Sequence, residues 1–162
     1  MEDLEKLRQR YVNYMRKTVE TLGHILQDVS QEAATTLRDG PDGWTVLEVV
    51  AHLRDFDGFF QHRAQMMLEQ ENPALPAYDH VQLAIDRQYN QQNLREVYTE
   101  LVASRAQFRE FFTSLMPEQW MRSGIHPERG AFDMMDAALQ VVGHDIDHTE
   151  QVTRILTQRT NP

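Results

Sequence analysis

Two histidines four residues apart, His144 and His148, are the residues of this sequence best placed for chemistry. The surrounding segment has the apolar spacing of a helix, in which each residue advances by about 100°. Both imidazoles therefore lie on one face and can reach the same ion. They share that face with apolar residues that should point to a core: Ala137, Val141, Val152 and Ile155. The pair alone is weak evidence, but its apolar setting favours a metal site.

An earlier helix is predicted to begin after the break at residues 39–43. Thr45 and Glu48 have the spacing of a capping box, in which each side chain bonds the other residue's backbone N–H. Glu48 lies one turn before His52 and could be taken for a ligand or a base. The capping role explains Glu48 without chemistry, so we do not assign it to the site.

His52 is predicted to face inward on this second helix. It shares a narrow stripe with large and polar side chains: Thr45, Phe56, Phe59 and Arg63. A hydrogen-bonded core histidine is the alternative interpretation, but together with the helical pair His52 becomes a candidate third ligand. Asp55 and Asp57 follow closely, as partners of the site or as the polar flank of the helix. Gly58 is predicted to permit the close approach of a neighbouring element.

The remaining histidines are expected to have lesser roles. His24 falls on the polar side of the first helix and should be solvated. His126 precedes a proline in a loop and is expected to be exposed. Residues 71–92 form a long, proline-interrupted connection, and such connections often cover sites. His80 and Tyr89 are therefore candidates for the rim of a pocket.

The periodicity predicts an all-α protein with four main helices. The first spans residues 4–29, the second starts at the Thr45 cap, Asn93 with Glu96 caps the third, and Asp133 caps the fourth. No strand-like alternation, internal repeat or glycine-rich phosphate loop is present. We therefore expect one domain over residues 1–162, folded as an antiparallel four-helix bundle with inward side chains available for a metal.

Composition excludes several classes of function. Cysteine is absent, so there is no thiolate ligand, protein thiol nucleophile or disulfide, and His, Asp and Glu must supply the chemistry. The formal charge of −9 without a basic cluster argues against binding to nucleic acid or to anionic membranes. The charged start and the lack of a long apolar segment predict a soluble, cytoplasmic protein.

Two motifs resemble those of the DinB-like superfamily, also called the DinB/YfiT family. They are GWTVLEVVAHL at residues 43–53 and GHDIDH at residues 143–148, followed by Gln151. The resemblance spans nearly the whole chain and implies that His52, His144 and His148 hold a divalent metal, zinc or nickel, in a four-helix bundle that is frequently a homodimer. Some relatives use mycothiol, bacillithiol or glutathione in transferase or isomerase reactions.

Three neutral imidazoles leave a tetrahedral ion one open position, as in catalytic zinc sites. Water or a thiol bound there would become a nucleophile, and the sequence does not choose between them. We expect a metal-dependent enzyme acting on a small molecule, as a low-molecular-weight-thiol S-transferase or a small hydrolase, with no assigned general base. The alternative is a non-catalytic, stress-related or ligand-binding bundle with a structural metal.

Overall fold

Four long helices dominate the computed structural model, which describes residues 2–158. They are α1 (Glu2–Leu26), α3 (Val46–Glu69), α5 (Leu94–Ser114) and α6 (Met134–Thr157). Shorter elements connect them: α2 (Gln31–Thr36), α4 (His80–Asp86), strands β1 (Ser123–His126) and β2 (Gly130–Asp133), and 3₁₀ turns at Tyr89–Gln91 and Gln119–Met121. None of the described helices is long and apolar enough to cross a membrane.

Side-chain caps set the start of three long helices. The Thr45 hydroxyl accepts from the Glu48 backbone N–H, and the Glu48 carboxylate accepts from the Thr45 backbone N–H. Asp133 and Asp136 make the same reciprocal pair at α6, and the Asn93 side chain accepts two backbone N–H bonds at α5. These bonds satisfy N–H groups that have no partner within the helix. The three predicted helix starts are confirmed.

The four long helices form the expected all-α bundle in an order that the sequence did not reveal. Helix α1 packs mainly against α5 and α6, and α3 packs mainly against the same two helices. Two of the three pairs of long helices that follow each other along the chain, α1 with α3 and α5 with α6, therefore lie on diagonals, whereas α3 and α5 are neighbours. In a simple up-and-down bundle with short loops, consecutive helices are neighbours. The longer connections in this chain make the diagonal order feasible.

Three expectations about local structure were wrong. Helix α1 ends at Leu26 rather than at residue 29, and a separate short helix, α2, follows it. Strands β1 and β2 pair antiparallel where only a loop was expected. No heavy atom of a neighbouring element lies within 4 Å of the position that a Cβ of Gly58 would take, so no close approach occurs there. At Gly124 such a Cβ would lie 2.9 Å from the Pro73 carbonyl oxygen, so the close contact is there.

One layer of polar side chains divides the apolar core into two clusters. One cluster contains Val50 and Leu101, and the other contains Phe60 and Phe108. Each long helix contributes a polar residue between the two clusters: Thr18, Asp57, Arg105 and Asp145. The bundle is therefore linked across its centre by polar contacts as well as by apolar packing.

Arg105 is the centre of this polar layer, with 2% of its side chain exposed. Its Nε donates to Asp57 Oδ1 at 2.6 Å, its Nη2 donates to Asp145 Oδ1 at 2.9 Å, and its Nη1 donates to the Met15 carbonyl oxygen at 2.9 Å. The Thr18 hydroxyl also donates to Asp145. Burial alone would lower the pKa of Arg105, but attraction to Asp145 and Asp57 outweighs it and raises that pKa. Arg105 therefore stays charged.

Replacing Arg105 tests this layer. Arg105→Met leaves two buried carboxylates without their cation, and we expect the free energy of unfolding to fall by about 3–5 kcal/mol. Arg16→Met is the matched control, because Arg16 pairs with Glu20 at the exposed surface of α1 and should change stability by less than about 0.5 kcal/mol. Urea unfolding followed by circular dichroism measures both. Equal effects in the two variants would contradict the role of Arg105.

Candidate metal centre

The structure brings the three predicted histidines together. His52 comes from α3, and His144 and His148 come from adjacent turns of α6. One ring nitrogen of each lies within 4.8 Å of the others, and no further histidine or carboxylate of residues 2–158 belongs to this group. The Nε2 atoms of His52 and His144 are 2.9 Å apart. Two lone pairs at that distance repel each other, so a proton or a cation must lie between them.

Burial keeps these imidazoles neutral. His52 is 4% exposed, and its ring lies 4.2 Å from the Phe56 ring and 5.0 Å from the Trp44 ring, centroid to centroid. Burial, followed by the influence of His148 and His80, lowers the pKa of His52 to about 3. Burial also holds the pKa of His144 well below its ordinary value. A metal ligand must be unprotonated, so this environment prepares both rings for coordination.

Hydrogen bonds fix the tautomer of His148. The Gln151 amide nitrogen donates to Asp39 Oδ2 at 3.1 Å, which orients the amide. The oxygen of the Gln151 amide therefore accepts from His148 Nδ1 at 2.8 Å. The proton of the His148 ring is then on Nδ1, and the lone pair is on Nε2. A hydrogen-bond partner on the ring nitrogen that does not bind the metal is typical of ligating histidines. His52 differs, because its Nδ1 is buried and has no partner among the described residues.

The three histidines line a cleft of about 510 Å³. Phe56 and Phe60 form an apolar wall beside the trio, and residues of the segment before α4 and of the hairpin also line the cleft. The remaining lining residues are Trp44, Arg63, Ala77, Tyr78, His80, His126, Pro127, Glu128, Gln140 and Gln151. A cleft of this size accommodates a small molecule.

The observed burial of four side chains tests the sequence predictions about which residues are exposed or lie at the cleft. His80 lines the cleft, as expected for a rim residue, and His24 is exposed. Tyr89 was wrongly assigned to the rim, because it is fully buried and its hydroxyl donates to Asp55 Oδ2 at 2.5 Å. His126 was wrongly expected to be exposed, because strand β1 buries it to 4% exposure against Arg63.

Asp55 and Asp57 contact other partners than the histidines. Asp55 pairs with Arg87 and accepts the Tyr89 hydroxyl, while Asp57 pairs with Arg105. Phe59 does not line the cleft and instead stacks on Tyr78, with 3.9 Å between the ring centroids. Of the two phenylalanines on the predicted stripe of His52, only Phe56 lines the cleft, and the second phenylalanine of its apolar wall is Phe60.

Sequence reasoning missed two arginines. Arg63 was placed on the inward stripe with His52, but no role was given to it. Arg105 lies between Leu101 and Phe108 on the apolar face of α5, and all three side chains are buried. A charge on a core-facing stripe is the signal that could have revealed both residues.

Comparisons with known proteins identify a matching family and a curated relative. The sequence model of the DinB superfamily matches residues 3–152. The "Putative metal-dependent hydrolase OB0782" of Oceanobacillus iheyensis is 24% identical over 154 residues, which cover 91% of this chain and 87% of the relative.

Two solved structures share the fold. YfiT from Bacillus subtilis, described as "a probable metal-dependent hydrolase with an unusual four-helix bundle topology", superposes with a TM-score of 0.84 at 21% identity, covering 94% of this chain and 87% of YfiT. The mycothiol-dependent maleylpyruvate isomerase superposes with a TM-score of 0.75 at 10% identity, covering 90% of this chain and 60% of the isomerase.

The lowered histidine pKa values predict how the stability of the metal-free protein depends on pH. Between about pH 6.5 and pH 3 the unfolded chain protonates His52 while the folded chain does not, so the free energy of unfolding falls as the pH falls. The slope is about 1.4 kcal/mol per pH unit for each such histidine. Urea unfolding in the presence of a chelator should give a slope for His52→Gln that is shallower by about this amount.

His24→Gln is the control for this measurement, because His24 is exposed. Its slope should equal that of the unmodified protein. If His52→Gln and His24→Gln had the same slope, His52 would not be a buried neutral group.

Proposed function

This chain belongs to the DinB superfamily, and from that premise we propose that it is a metal-dependent enzyme in which His52, His144 and His148 hold one divalent ion. The observation that carries the proposal is the convergence of three imidazoles at the wall of a cleft large enough for a substrate. No carboxylate of residues 2–158 joins them. An open coordination position facing a cleft is typical of a catalytic site rather than a structural one.

The donor set fits a divalent ion. Imidazole nitrogen suits zinc and nickel, which are our candidates for the metal. When bound, such an ion acts as a Lewis acid and lowers the pKa of a water or thiol at its open position.

The side chains around the trio have separate tasks in this proposal. Gln151 holds His148 with its Nε2 lone pair toward the other two rings. Phe56 covers His52 and limits the access of water. His80, whose ring centroid is 6.1 Å from that of His52, has an imidazole at the rim, where it can accept or donate a proton during the reaction.

The nucleophile comes from outside the chain, because cysteine is absent and none of the described residues that line the cleft is a serine or threonine. Water would make the protein a hydrolase, and the name of the Oceanobacillus relative supports this choice. A low-molecular-weight thiol would make it a transferase or isomerase, which the name of the mycothiol-dependent structure supports.

We further propose a cytoplasmic homodimer acting on a small molecule. The rival is a binding protein with a structural metal.

Cobalt substitution tests the proposal and identifies the nucleophile. Tag-free protein loaded with Co²⁺ should show visible bands of four- or five-coordinate cobalt, and His144→Ala should lack them because one ligand is missing. Mycothiol, bacillithiol, glutathione and cysteine are then added one at a time. A thiol that reaches the open position produces a near-ultraviolet charge-transfer band.

A thiol that produces this band and supports turnover of an electrophilic substrate favours the transferase. Turnover of ester or amide substrates without any thiol favours the hydrolase. If no thiol changes the cobalt spectrum and neither class of substrate is turned over, a further ligand shields the ion and the metal is structural.

A further inference from the structure

Arg63 carries a buried charge in the same cleft as the histidine trio. It follows His52 by three turns of α3, about 16 Å along the helix axis, and is 6% exposed. Its Nε and Nη2 both donate to the carbonyl oxygen of Pro76, at 3.0 and 2.5 Å. That carbonyl is neutral. Within residues 2–158 no carboxylate oxygen is paired with Arg63, in contrast to Arg105, which has two.

His126 lies beside this guanidinium, and both of its ring nitrogens face N–H donors. Its Nδ1 is 3.2 Å from the Glu128 backbone nitrogen, and its Nε2 is 2.9 Å from Arg63 Nη1. A neutral imidazole has one nitrogen that accepts and one that donates, whereas a guanidinium and a backbone N–H can only donate. In either tautomer one of these two contacts therefore places two donors opposite each other. An acceptor that both can reach would resolve this conflict.

We propose that Arg63 and His126 form a carboxylate-binding subsite, so that the substrate of the cleft is a small molecule with an anionic end. The position of the subsite rests on these two side chains alone, whereas its role in selecting a substrate rests on the proposed function. A carboxylate has two oxygens with which to accept from the guanidinium and the imidazole, and arginine is well suited to this geometry.

The walls of the cleft indicate the rest of the ligand. Phe56 and Phe60 line it together with the trio and with Arg63, so the part of the ligand beside them is apolar. The Tyr78 ring packs against the guanidinium, with its centroid 5.1 Å from Arg63 Cζ, and restrains its orientation. Glu128 also lines the cleft and attracts the Arg63 charge, but it is exposed and makes no ion pair with the guanidinium. The ligand that fits has its reacting group near the trio, an apolar middle and a carboxylate at Arg63.

Matched probes test the subsite. Isothermal titration of the metal-loaded protein compares 4-phenylbutyrate with its neutral amide, 4-phenylbutyramide. We expect the acid to bind at least tenfold more tightly, because a charge-assisted pair with arginine is lost in the amide. Arg63→Met should reduce the affinity for the acid to that for the amide. Arg129→Met removes the same charge from an exposed neighbouring position and should leave the affinity within twofold.

A second set of measurements separates the subsite from the metal. A carboxylate can also bind the metal ion at the trio, so the isothermal titration is repeated after a chelator has removed the metal. In the same samples, the ¹⁵N chemical shifts of the His126 ring are followed by NMR. Binding that persists without metal, moves the His126 signals and depends on Arg63 supports the subsite, even if the proposed enzyme function fails. Binding that requires the metal and is unchanged in Arg63→Met overturns the subsite and leaves the metal centre intact.

Folding defects cannot mask the answer. The acid and amide are compared on the unmodified protein, where equal affinities would by themselves overturn the proposal. Arg63→Lys keeps the charge but not the planar pair of donors, and we expect an affinity for the acid between those of the unmodified protein and Arg63→Met.

Discussion

Arg105 is held between Asp57 and Asp145 in the centre of the bundle, and this buried ion pair joins the two helices that carry the histidine trio. Asp145 directly follows His144 on α6, and Asp57 lies five residues after His52 on α3. Apolar packing alone tolerates small shifts between helices, whereas a guanidinium with two carboxylate partners accepts few arrangements. We infer that the ion pair fixes the height and rotation of α3 relative to α6. It thereby sets the separation of imidazoles that come from different helices.

The two buried arginines show how the same side chain can serve structure or binding. Arg105 is neutralised by two carboxylates and closed off from solvent, so it is not accessible to a ligand. Arg63 is also buried, but it bonds a neutral carbonyl and faces an imidazole nitrogen. A buried charge without a counter-ion is costly. Its place in the cleft suggests that the counter-ion belongs to the ligand.

The sequence predicted those features that depend on local periodicity. Helix caps at Thr45, Asn93 and Asp133 follow from spacings of a few residues, and the inward direction of His52 follows from its angle on the helix. The diagonal order of the long helices could not be predicted, because periodicity describes one helix at a time. His126 and Tyr89 were misplaced for the same reason. Their burial depends on a hairpin and on a connection that pack against distant parts of the chain.

The metal content of tag-free protein tests the central claim most directly. Elemental analysis should find about one zinc or nickel ion per chain. Alanine at His52, His144 or His148 should remove most of that metal, while alanine at the exposed His24 should not. Each variant must keep its helical circular dichroism for the comparison to count. Full metal content in the His144→Ala and His148→Ala proteins, or none in the unmodified protein after growth with added metal, would contradict the account.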